Sequence, residues 1–281
     1  MSAAKTSWFT RSTLLLGFAF LYLPMLILIV YSFNENRLVT VWSGFSLKWY
    51  GELFRDKQMI DAAKVSLEIA FMTACASVVL GTMAAMVMTR FRQFPGKSLF
   101  SALMTAPLVM PEVITGLSIL LLFVAMGENF GLFQERGVMT IWIAHVTFCV
   151  AFVTVVISSR LSELDRSLEE AAMDLGANRV KVFFLITLPI IAPALASGWL
   201  LAFTLSLDDL VISSFVSGPS STTLPMQVFS SVRMGVSPKI NALATLLIGI
   251  VSVAAFIGWW MMAREEKQRQ RDMQLALQQG G

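Results

Sequence analysis

Six apolar runs, each close to the length of a membrane span, constrain this chain more than any other feature of it. A helix crossing the ~30 Å hydrocarbon core needs about 20 predominantly apolar residues. Residues 14–31 carry no charge. A second run, 69–89, is entered through Lys64 and Glu68, which are spaced as an i,i+4 ion pair. The third lies between Lys97 and Glu128 and holds one charge, Glu112. As one straight helix it would extend about 45 Å, too long for an untilted span, and Pro107 and Pro111 are expected to break it. The remaining runs are 137–159, 186–207 and 240–263. Only 14% of the residues are charged, against about 25% in a soluble domain, so the chain reads as an all-α membrane protein with six transmembrane helices.

The same composition excludes several function classes. Cys75 and Cys149 both sit inside apolar runs, and His145 is the only histidine. That removes a disulfide framework, a zinc ribbon and a multi-histidine metal site, so no metal and no catalytic residue is expected. A net charge of +3, spread along the chain, gives no footprint for nucleic acid. Residues 1–13 form the N-terminal segment, 14–263 the six-span domain with its connecting loop 160–186, and 264–281 a charged C-terminal tail. The tail is expected to be helical and to meet lipid headgroups or a soluble partner. The first run is longer than a signal-peptide core and lacks a small-x-small site after it, so it reads as an uncleaved anchor. No stretch outside the spans is long enough for a folded soluble domain.

Six spans put both termini on one side, and the positive-inside rule chooses which. With the N-terminus inside, the inner segments hold thirteen Lys and Arg: Lys5, Arg11, Arg90, Arg92, Lys97, Arg160, Arg166, Arg179, Lys181, Arg264, Lys267, Arg269 and Arg271. The outer loops hold seven, and Glu35, Glu52, Asp56 and Asp61 offset those of the first loop. Both termini are therefore expected in the cytoplasm.

Two motif matches fail on their own chemistry. Gly96-Lys97-Ser98 ends like a phosphate-binding loop, but the glycine needed five residues earlier is Phe91. Ser118 and His145 could be cast as an intramembrane serine dyad. Gly-x-Ser, however, occurs five times here, ending at Ser46, Ser98, Ser118, Ser220 and Ser237, and a lone membrane histidine more often bonds a neighbouring helix.

The loop after the fourth run is more specific. Ser167 and Glu170 have capping-box spacing, which predicts a helix starting at Leu168, and Gly176 is placed to stop it. Leu168, Ala172 and Leu175 would form an apolar strip beside an acidic face of Glu169, Glu170 and Asp174, with Ala171 and Ala172 small enough for close approach of a partner backbone. Such a helix is either a docking element or one lying against its own bundle.

Glu170-Ala171-Ala172, then Gly176, then Ile186-x-Leu188-Pro189 resembles the EAA signature of permease subunits in bacterial ABC importers that depend on a binding protein. The likeness extends over nearly the whole chain. Residues 106–116, 202–212 and Ser217-Gly218-Pro219 resemble the polyamine branch, with the second inner-membrane permease of putrescine importers as the nearest group; Glu112 stands where aspartate would be expected. The resemblance implies a type I ABC importer permease (MetI-like) fold and a loop acting as a coupling helix, through Glu169, Glu170, Ala171, Ala172, Asp174 and Gly176. It also implies a second, related permease chain, a cytoplasmic ATPase dimer that holds the ATP and magnesium, a periplasmic binding protein, and no cofactor on this chain.

Within that frame the carboxylates gain a role. Asp208 and Asp209 lie between two uncharged stretches, and acids at such depth are costly unless they face water, a cation or a partner. Glu112 falls at comparable depth. A diamine asks for separated anions with apolar or aromatic walls between them, so Glu112, Asp208 and Asp209 are expected to line a cation pathway. Helix capping or an inter-subunit pair is the plainer alternative for Asp208 and Asp209; for Glu112 it is satisfying backbone groups freed by the neighbouring prolines. Trp42, Trp49 and Tyr50 are candidates for cation–π contact, with interfacial anchoring as their alternative. An ion-coupled secondary transporter would use the same carboxylates but leaves the loop motif unexplained.

Overall fold

Apolar periodicity in lipid leaves the helix as the economical spanning element, because every backbone group must be satisfied internally. The computed structural model describes residues 8–38, 41–91, 93–235 and 237–279. Its helices are α1 (Trp8–Tyr31), α2 (Lys48–Arg55), α3 (Lys57–Arg90), α4 (Lys97–Val109), α5 (Glu112–Phe130), α6 (Val138–Glu163), α7 (Arg166–Asp174), α8 (Arg179–Val182), α9 (Leu188–Asp208), α10 (Val211–Val216), α11 (Leu224–Arg233) and α12 (Pro238–Gln279). A π-helical turn, Phe183–Thr187, joins α8 to α9. Six of these segments are long and apolar enough to span a membrane: α1, α3, α5, α6, the run from α8 through α9, and the first part of α12. Lys5 and Arg92, counted above on the inner side, lie outside the described residues, as do the side chains of Lys267, Arg269 and Arg271.

Two details of the spans differ from expectation. Pro107 sits inside α4, and the chain breaks only at Met110–Pro111, where Pro111 precedes the first turn of α5. A proline is tolerated there because the first turn needs no N–H from it. Lys64 turns back to Asp61 at 3.4 Å instead of reaching forward to Glu68.

The chain divides into two units. The larger, residues 58–229, is built on α6, whose Ile141, Ala144, Cys149, Val153, Ile157 and Leu161 are all buried. Small residues set its close crossings. A Cβ on Gly81 of α3 would lie 2.8 Å from Val153 Cγ1, and one on Gly198 of α9 would lie 3.3 Å from the same methyl. One valine thus fills the notch of a glycine on each side, the packing that substitutes in lipid for a hydrophobic driving force.

The smaller unit contains residues 1–57 and 230–281. None of the residues of α1 is buried, so its apolar surface is available to lipid or another chain. The segment after it is pinned by Asn34, which is fully buried. Its amide donates to Val41 O (2.7 Å), its Oδ1 accepts from Ser43 N (3.0 Å), and its carbonyl accepts from Trp49 Nε1–H (2.7 Å). Lys239, at the start of α12, pairs with Asp56 after α2.

Candidate functional site

The loop helix begins earlier than its capping-box spacing suggests. Asp165 is the N-cap, accepting from Ser167 N at 2.9 Å, so α7 starts at Arg166 rather than Leu168. The Ser167 N–H, followed by its hydroxyl, holds the Asp165 carboxyl below the ordinary aspartate range. The cap therefore contributes fully above the unfolded aspartate pKa and fades as pH falls through the lowered value. The stop is where expected. Gly176 has φ +86°, Ala177 N–H donates to Ala172 O (3.0 Å), and Gly176 N–H donates to Met173 O (2.9 Å), a Schellman closure.

A Cβ on Gly176 would meet nothing within 4 Å, so only backbone handedness resists substitution there. Gly176→Ala is expected to weaken the closure by about 1–2 kcal/mol and to speed amide exchange over 166–175 by roughly 5–30-fold. Gly176→Asn, which tolerates the left-handed region, should recover most of the protection.

α7 has two distinct faces. Outward lie Glu170, Ala171, Asp174, Leu168 and Met173, with Leu175 at its C-cap 91% exposed. Glu169, grouped by sequence with the acidic face, turns inward instead. Its Oε1 accepts from Arg90 Nη2 at the end of α3 (2.8 Å) and from Thr187 Oγ1 at the base of α9 (2.8 Å). Arg166 Nη2 donates to Thr89 O (2.7 Å). Beside these contacts a cleft of about 1100 Å³ opens, lined by Met86, Arg90, Arg166, Glu169, Glu170 and Thr187 among others.

At the far end of α9 the two aspartates separate. Asp209 leaves the helix with ψ 123° and is mostly buried. Its Oδ1 accepts from Ile212 N (3.2 Å) and its Oδ2 from Ser213 N (2.7 Å), capping the first turn of α10. Oδ2 also lies 3.1 Å from His145 Nε2. With a carboxylate as acceptor that nitrogen carries the hydrogen, and Nδ1 lies 2.7 Å from the Ser206 hydroxyl. Asp209 thus takes the capping role, and His145 bonds Ser206 and Asp209, with Ser213 at 3.0 Å, rather than Ser118.

Asp208, by contrast, is exposed, and so is Glu112 in the first turn of α5. A Cβ on Gly116 would lie 3.3 Å from Ile212 Cα, so α5 and α10 touch there. Both helices run toward the α5–α6 connection, because the far end of α10 bonds Thr140 and Arg136 through Val216 O (2.7 Å) and Phe215 O (3.4 Å). Glu112 stands about one turn before that crossing, while Asp208 is the last residue of α9, separated from α10 by the extended Asp209. Trp42, Trp49 and Tyr50 belong to the smaller unit. Trp49 is buried on Asn34, Tyr50 OH lies 2.8 Å from Ser32 Oγ, and Trp42 is half exposed against Tyr31.

Residues 77–269 match the family described as binding-protein-dependent transport system inner membrane component. The chain belongs to that family. It is 66% identical over 263 residues, 94% of each chain, to the putrescine transport system permease protein PotI of Escherichia coli (strain K12). It is 43% identical over 240 residues, 85% of this chain and 90% of the relative, to the spermidine/putrescine transport system permease protein PotC of Haemophilus influenzae. Among solved structures, a chain of the bacterial alginate ABC transporter in complex with an alginate pentasaccharide-bound periplasmic protein superposes with TM-score 0.68 at 17% identity, covering 88% of this chain and 91% of that one. The fold is that of a type I ABC importer permease, and the protein is a multi-pass inner-membrane transport subunit rather than an enzyme.

Sequence reasoning missed the inward partners of the permease's two polar centres. Arg90 counted only as a topology charge, and Thr187, Ser206 and Ser213 are small hydroxyls in apolar runs with nothing in their spacing to mark them.

Proposed function

We propose that this permease is one transmembrane half of an ATP-driven importer that passes a polyamine, putrescine before spermidine, from a periplasmic binding protein into the cytoplasm. The observation that carries the reading is 66% identity across 94% of the chain to a putrescine permease. The 160–186 loop and both termini then face the cytoplasm, in keeping with the Lys and Arg distribution. A second, related permease chain completes the pathway and an ATPase dimer seats the outward face of α7. This chain binds no cofactor, since ATP and magnesium belong to the ATPase, and the 264–281 tail runs along the cytoplasmic face. The exposure of Glu112 and Asp208, both in the larger unit, suits a pair of anions meeting the two ammonium groups of a diamine. Trp49 and Tyr50 build the first outer loop, and of the three aromatics Trp42, half exposed beside Tyr31, is the one left open to substrate.

The test is uptake of labelled putrescine by cells with and without the chain, in a strain lacking other polyamine importers. Uptake that requires the chain, is competed by excess spermidine and is spared by arginine is the expected result. Unchanged uptake without the chain would sink the polyamine reading while leaving the family membership intact. Uptake driven by an ion gradient without the ATPase would favour a secondary transporter.

A further inference from the structure

No residue of α7 is fully buried, so the helix has little apolar anchorage in its own unit. What does tie it is concentrated on one oxygen. Glu169 Oε1 accepts from Arg90 Nη2 and from Thr187 Oγ1, each at 2.8 Å. The Arg90 and Glu169 side chains are only 13% and 16% exposed, and Thr187 is 1% exposed. Charge-assisted bonds shielded from water in this way are stronger than surface pairs. The three residues come from three elements: the loop helix, the end of α3 and the base of α9. Thr187 closes the π-helical turn Phe183–Thr187, a wider turn of a kind that recurs at functional positions.

We propose that Arg90, Glu169 and Thr187 act as positioning residues forming a strut, through which a displacement of α7 is delivered to α3 and α9 together. With no residue of α7 fully buried and the chain connections on either side, through Leu164–Asp165 and Leu175–Asn178, outside regular helix, α7 can shift against its neighbours. A push on the outward face therefore reaches the spans through the Glu169 carboxylate, with Arg166 on Thr89 O as a second tether to α3. Since α9 ends at Asp208, movement at Thr187 is carried along one helix to that carboxylate. The inference rests on the importer reading for its driving force.

The test uses the whole transporter, this chain with its partner permease and ATPase, reconstituted in liposomes with its binding protein, measuring ATP hydrolysis and uptake in parallel. Thr187→Val keeps the shape and removes only the hydroxyl; Thr187→Ser keeps the hydroxyl; Glu169→Gln removes the charge. In Thr187→Val and Glu169→Gln, uptake per ATP hydrolysed is expected to fall about tenfold while hydrolysis stays within about twofold of wild type. Thr187→Ser should remain coupled. Unchanged uptake per ATP in both variants, or a proportional loss of uptake and hydrolysis in an assembled complex, would overturn the strut. Failure of the importer reading shows separately, as absence of ATP-driven uptake in the wild-type transporter.

Discussion

Asp208→Asn is expected to lower putrescine uptake by at least about tenfold while the permease still assembles with its partners. An opposite charge at about 4 Å contributes ~4 kcal/mol at an effective dielectric of 20, and losing a third of that in the transition between sites is about tenfold. Asp208 is exposed at the end of α9, so its carboxylate can be changed without opening the core. Asp209→Ala should do the reverse of this. It strips acceptors from Ser213 N, Ile212 N and His145 Nε2 in a mostly buried setting. Each orphaned buried donor costs about 1–3 kcal/mol, so the permease should unfold in detergent at clearly lower temperature and assemble poorly. Glu112→Gln should behave like Asp208→Asn. Transport assays run beside assembly and thermal unfolding on the same variants separate the two classes. Normal uptake in assembled Asp208→Asn and Glu112→Gln would remove the pathway role.

The second large effect is steric. A Cβ on Gly218 would sit 1.8 Å from Arg136 O and 2.6 Å from its carbonyl carbon, both backbone atoms that cannot swing aside. Gly218→Ala must therefore push the segment after α10 away from the entry to α6, breaking the bond from Thr140 Oγ1 to Val216 O. Overpacking of this kind costs about 1–3 kcal/mol where side chains can yield, and more is expected where backbone must move. The measurable result is little folded permease recovered from membranes. Gly137→Ala, next to Arg136 in the chain, with φ −176° and open space around its Cβ position, should be recovered at wild-type level. Equal recovery of the two would show that the α10–α6 approach has room for a methyl group.

The spans were legible because lipid allows few solutions. An apolar run of about 20 residues must be a helix; the first, second, fourth and fifth runs lengthened by no more than about four turns, and the sixth continues as α12 through the tail to Gln279. The loop helix was legible too, since a cap, an acidic face and a glycine stop are local signals, although the cap proved to be Asp165 rather than Ser167. The third run had to break somewhere. Which proline broke it was not readable, because Pro107 is accommodated within α4 whereas Pro111 falls where a helix can begin.

Partnership between residues far apart in the chain was beyond such signals. Asp208 and Asp209 are identical in type and adjacent in sequence. One stays open and the other becomes a buried cap because α9 ends between them and α6 brings His145 to the second. Glu169 looked like one of three acids on a docking face until the ends of α3 and α9 supplied Arg90 and Thr187. Sequence by itself therefore determined that the chain spans a membrane, how many times, and that a short capped helix follows the fourth span, since those follow from hydrophobic length and local helix chemistry. Only the tertiary structure decided which carboxylates remain available and which are consumed, because a buried polar group takes its role from the donor that packing brings within about 3 Å.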